Sequence, residues 1–173
     1  YVLNFTRRHE SLVPHMYNNR RNDKQAQDVT CGIGFLLSPR SAAVQGWVKA
    51  MFFDPSTKLT PSDAQLLADW DAAAGLFRTD QNLSEYANVC KLRMLPDKVY
   101  ERMALKLRDE KLPALLGVYP EFSDFGNFPA AAQAFCLSFA YCRLPSDFPE
   151  MRKWIAAKRW ADAAKQCHVR GQS

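Results

Sequence analysis

Apolar positions recur with the period of a helix along most of this chain, and with the period of a strand in one short stretch near its beginning. Val2, Phe5, His9 and Leu12 fall three or four residues apart, which predicts a short helix over 2–12. Pro14 ends it, because proline donates no backbone hydrogen bond and its ring blocks the preceding turn. His15 to Asn19 and Asp28 to Gly34 then flank a polar stretch rich in Arg, Asn, Asp and Gln, the pattern of a hairpin with a long loop. In its second strand, alternation sets Asp28, Thr30 and Gly32 on one face and Val29, Cys31 and Ile33 on the other.

Beyond Ser38-Pro39 the helical period returns. An apolar stripe predicts a helix over 42–53, and Asp54-Pro55-Ser56-Thr57 reads as a turn. Thr60 as N-cap, Pro61 at the first position and Asp63 closing a capping-box-like pair start a helix that runs to about Phe77. Helical stretches follow over 83–95 and 96–116, with Pro113 placed to kink or end the second. The nearly continuous apolar run Phe128 to Tyr141 reads as a buried central helix, and residues 150–157 and 159–167 as a final helical pair. The expected class is mainly α (α+β): one domain over 1–173, with a hairpin lobe at about 13–60 and a larger helical lobe.

Composition narrows the function classes. In 173 residues, 47% are hydrophobic and 24% charged, an ordinary globular balance. No apolar run reaches the roughly 18 residues that a membrane span needs, so no membrane insertion is expected. The chain opens on Tyr1 rather than Met and reads as a piece of a longer polypeptide. Its net charge of +5 suits a polyanionic partner, but the basic residues are scattered, so nucleic acid is not expected. The five cysteines form no CxxC pair, so neither metal nor cofactor is expected; Cys136 and Cys142 read as core residues.

Four stretches, in order, carry a family resemblance. They are His9-Glu10-Ser11-Leu12 with Tyr17; Val29-Thr30-Cys31-Gly32-Ile33-Gly34; Leu59 through Asp69 to Ala72; and Gln133 through Ser138-Phe139-Ala140-Tyr141 to Trp160-Ala161-Asp162-Ala163-Ala164. The chain resembles the phage-type (T4-like) lysozymes over most of its length outside an insertion at about 78–127. Phe35 stands where the family has His, and Cys142-Arg143-Leu144 replaces its N-x-G. The chain also lacks an obvious counterpart of the family's Arg near the catalytic Glu.

The resemblance implies a two-lobed lysozyme-like fold. It also implies hydrolysis, with inversion, of the β-1,4 bond between N-acetylmuramic acid and N-acetylglucosamine in peptidoglycan. Such hydrolysis uses two carboxyl groups, one of them kept protonated by an apolar or anion-hostile position. Glu10, at the end of the first predicted helix, suits the acid, because the helix dipole is negative there. For the second group the candidates are Asp28, on the strand face of Thr30, then Asp23, then Asn19 as a water-holding substitute. Thr30 would orient the attacking water, Gly32 would let a sugar ring approach, and Tyr17 would stack on a sugar or pack in the hairpin. The four tryptophans, at helical spacing, read as core. The expected partners are peptidoglycan glycan strands and an immunity or inhibitor protein. The expected setting is the periplasm or cell wall of a target bacterium, reached by an endolysin or a secreted antibacterial effector. A non-catalytic wall-binding module on the same fold is the alternative.

Overall fold

The computed structural model describes residues 11–19, 28–76, 83–142 and 149–165. The predicted helix over 2–12 lies outside the described residues up to Glu10. The chain is mostly helical with a small three-stranded antiparallel sheet. It divides into two compact units, Glu10–Arg102 and Tyr1–His9 with Met103–Ser173. The expected hairpin lobe at 13–60 is therefore part of a longer unit, and the expected insertion at 78–127 is divided between the two.

In the first unit, β1 (Val13–Asn18), β2 (Val29–Gly32) and β3 (Phe35–Leu36) form the sheet in that order. Tyr17 pairs with Thr30 and Asn18 with Val29, and an irregularity lies between Val13 and Met16. Gly32 and Gly34 take positive φ angles of 62° and 97°, which side-chain-bearing residues rarely adopt, and so turn β2 into β3. The stretch expected as a helix over 42–53 is broken instead. A 3-10 turn at Arg40–Val44 and a one-turn α1 (Gly46–Lys49) are separated by Gln45, whose backbone is extended, and β4 (Phe52–Phe53) follows.

Helix α2 (Asp63–Gly75) begins two residues later than its sequence suggested. Ser62 is the N-cap, accepting from the Gln65 amide at 3.3 Å, while the Gln65 side chain accepts from the Ser62 amide at 2.9 Å. Gln65 completes this capping box because its amide oxygen can reach back across one turn. The helix buries Leu66, Asp69, Trp70, Ala73 and Ala74, and packs on β1. Trp70 Nε1 donates to the Leu37 carbonyl at 2.7 Å, tying α2 to the residue after β3. Helix α3 covers only Ser84–Val89 of the expected 83–95. The Arg93 guanidinium donates to the carbonyls of Ala87, Cys90 and Leu92, which satisfies groups a helix end leaves open. That frees β5 (Arg93–Met94) to pair with β4, Phe52 facing Met94.

Helix α4 (Pro96–Lys106) carries the chain across the division between the units. In the second unit it continues as a π turn, Leu107–Lys111, and then as α5 (Leu112–Val118). Pro113 neither ends nor breaks this run: it sits in the first turn of α5, where its missing donor costs little. Tyr119, Phe122, Phe125 and Phe128 are buried, with ring centroids 5.5–6.1 Å apart in the pairs they form. Trp160 meets Phe128 edge-on at 4.9 Å. Each such pair adds about 1 kcal/mol to what burial supplies. Helix α6 (Ala130–Cys142) fulfils the expectation of an apolar helix, burying Ala134, Cys136 and Ala140. Helices α7 (Pro149–Ala156) and α8 (Trp160–Lys165) pack together across a reversal in which Lys158 has φ 55°. No helix among the described residues is long and apolar enough to cross a membrane.

Candidate functional site

Glu10 and Asp23 lie outside the described residues. The other positions singled out by sequence gather on the β1–β2 ladder, where the structure buries most of them. Thr30 is 3% exposed, and its hydroxyl donates to the Asp28 carbonyl at 2.9 Å. The Asn19 amide donates to the same carbonyl at 3.0 Å, so Asp28 closes the ladder through its backbone, with the residue half-buried. Tyr17 is buried and meets the Tyr86 ring edge-on at 6.4 Å, so it packs rather than offering a sugar platform. At Gly32 an added Cβ would sit 3.2 Å from Val99 and 3.4 Å from Met94, so the space expected for a sugar is filled by the chain's own side chains. The alternation expected to separate a polar from an apolar face instead meets protein on both: Thr30 and Gly32 are buried along with Val29, Cys31 and Ile33. Helix α4 supplies the second cover through Val99, which sequence period could not assign to this strand.

Trp70 is buried, as expected of a core residue, and Trp47 is half-buried between the Phe35 ring and the Arg102 guanidinium, 4.8 Å from its centroid. Cys31, Cys90 and Cys136 are buried free thiols. Among the described residues no group of three or more His, Cys, Asp or Glu side chains could hold a metal ion.

An open groove of about 830 Å3 lies between α2 and the segment Ala87–Arg93. Its floor is the α2 face of Ala64, Ala68 and Ala72, and the turn at Asp54–Ser56 closes one end. Two carboxylates line it, in opposite electrostatic circumstances. Asp54 accepts from the Ser56 amide and hydroxyl and from Gln65 Nε2, and these hydrogen bonds hold its carboxyl below the usual carboxylate range. Asp69 is 3% exposed, and burial pushes its carboxyl up, opposed by the amides of Lys91 and Leu92, which donate to its two oxygens at 2.9 and 2.8 Å. The Asp69 side chain thereby fixes the far wall of the groove to its floor.

His15 and, within that wall, Cys90 are also buried. His15 Nδ1 lies 3.1 Å from the Met16 carbonyl, and burial lowers the imidazole pKa. The Cys90 thiol, close to the Met16 and Asp69 carbonyls, is pushed up to about 12, first by burial and then by the Asp69 charge. A thiol so raised stays protonated near neutral pH. The sequence places Asp69 in one of the four matching stretches but assigns it no role, although one signal was present: it lies with Leu66 and Trp70 among the buried positions of α2. Compared with known proteins, the chain matches no family model, no curated protein and no solved structure.

Proposed function

We propose that this chain is a peptidoglycan hydrolase, a muramidase that cleaves the β-1,4 bond between N-acetylmuramic acid and N-acetylglucosamine with inversion. It acts on the wall of a target bacterium as an antibacterial effector or endolysin. The observation that carries this reading is the register in which Tyr17 faces Thr30. It joins two of the four stretches that resemble phage-type lysozymes into one antiparallel ladder, a few residues downstream of Glu10. In this reading Glu10 protonates the leaving oxygen, and a carboxylate of the hairpin loop, Asp23 or Asp28, activates water from the opposite face. Because the Thr30 hydroxyl is engaged with Asp28, its part is to hold the loop's geometry.

That same engagement favours a second reading, a wall-binding module without catalysis. Clearing of purified peptidoglycan separates the two. Wild type should clear it and leave N-acetylmuramic acid at the new reducing ends, while Glu10→Gln slows clearing by at least about a hundredfold, the usual contribution of a general acid. Retention on sacculi without clearing by wild type would establish the module instead.

A further inference from the structure

We propose that Tyr86 is a positioning residue that sets Asp28 of the hairpin for reaction. The inference rests on the proposed function, and of the two hairpin carboxylates named there it selects Asp28. Tyr86 belongs to α3 and is 1% exposed. Its hydroxyl lies within donating distance of two carbonyls, that of Leu76 at 2.9 Å and that of Asn18 at 3.2 Å. A phenol carries one proton, so the two carbonyls share it in a three-centre bond. Leu76 is the residue on which α2 ends, and Asn18 is the last residue of β1. One hydroxyl therefore fastens the end of a 13-residue helix to the end of the hairpin strand.

From Asn18 the path to Asp28 is short. Asn18 pairs with Val29 in the ladder, and the next residue, Asn19, donates its amide to the Asp28 carbonyl at 3.0 Å. The Thr30 hydroxyl donates to the same carbonyl at 2.9 Å. The Asp28 backbone is thus held twice within the hairpin, and both holds move with the hairpin. A two-stranded hairpin is marginal by itself, so its end needs a reference outside the two strands. Tyr86 supplies one by carrying the frame of α2 to Asn18. Asp28 is half-buried, so solvent reaches the residue, as the activation of water requires. A base must also hold its place closely, because a misplacement of about 1 Å can cost roughly a hundredfold in rate.

The test is a double-mutant cycle on soluble glycan fragments of purified peptidoglycan. Tyr86→Phe keeps the ring and its edge contact with Tyr17, so its circular dichroism should match wild type. Its kcat should fall about tenfold, a fraction of the cost of a full misplacement, with KM unchanged. Asp28→Asn should fall at least about a hundredfold, the usual contribution of a general base. With Asp28→Asn already present, the Tyr86 hydroxyl has no base to position, so adding Tyr86→Phe should change the rate by less than about twofold. A hydroxyl that only stabilises the fold would lower the rate alike in both backgrounds. The proposal is overturned by equal losses in the two backgrounds, by a loss confined to KM, by Tyr86→Phe at the wild-type rate, or by Asp28→Asn as active as wild type. Clearing by wild type is the separate check on the hydrolase: without it the hydrolase and this role fall together, whereas clearing that Tyr86→Phe leaves unchanged sinks the role alone.

Discussion

Replacing Asp69 tests the central claim about the groove wall, that one buried carboxylate fastens residues 91–92 to α2. In Asp69→Ala both acceptors disappear. The Leu92 amide belongs to a residue 1% exposed, and the Lys91 amide is partly buried, so water replaces them poorly. Each orphaned amide costs about 1–3 kcal/mol, less what is regained by no longer burying a carboxylate, giving a net loss near 3 kcal/mol at pH 7. Asp69→Asn keeps one acceptor oxygen and removes the charge, so its loss should be about 1–2 kcal/mol. Urea unfolding followed by far-UV circular dichroism would register the alanine variant as a midpoint drop of about 1–2 M. The pH dependence gives an independent check. Burial raises the Asp69 carboxyl above 3.8, so above that pH the native state holds this proton more firmly than the unfolded chain does. Its contribution is then fully present below 3.8 and is lost as pH rises through the native value. The stability gap between wild type and Asp69→Asn should therefore widen on acidification from pH 7 toward 4. An alanine variant within about 0.5 kcal/mol of wild type would refute the fastening role, whereas a gap independent of pH would mean that the two amides offset the burial of the charge.

Other positions give sharper local tests. His15 has the opposite sign to Asp69: burial lowers its native pKa below 6.5, so its contribution is full above pH 6.5 and lost on acidification; His15→Gln should flatten that part of the stability-versus-pH curve in chemical denaturation. Gly32→Ala combines a φ of 62° with a Cβ 3.2 Å from Val99 and should cost about 2 kcal/mol, measured by urea midpoint. Ser62→Ala removes the cap of α2 and should cost about 1 kcal/mol in the same assay, with amide exchange accelerated in the first turn of that helix.

Much of the fold was legible because helices advertise their buried stripe. Residues 130–142 and 149–156 form close to the expected places, since an unbroken apolar run or a 3.6-residue period leaves few alternatives. Ends were less legible, because they are decided by single hydrogen bonds. Thr60 and Ser62 are both acceptable caps, and only the reach of the Gln65 side chain selects Ser62. Residues 83–95 stop short as a helix because the Arg93 guanidinium folds back on three carbonyls, which no periodicity encodes. The small sheet of β4 and β5 pairs residues some forty positions apart, and each strand is only two residues long. Strands that short carry no alternation from which to be read.

The site divides along the same physical line. A polar residue within a strand pattern invites the inference that its face is open, and at Thr30 that inference failed. Thr30 hides its hydroxyl by donating to the carbonyl two residues back, so burial costs it little. Asp69 is the harder case, an ionisable group on the core face of a helix, where an unsatisfied carboxylate would be prohibitive. Such a residue survives only if some other segment brings it donors, so its presence in an apolar stripe by itself implies a docked backbone. Here the segment is Lys91–Leu92, and the groove exists because that docking holds α3 and its trailing loop against α2 at the level of Asp69 while leaving Ala64, Ala68 and Ala72 uncovered. Sequence could place the charge in the core; only the fold could say which backbone answers it, and hence where the opening would be.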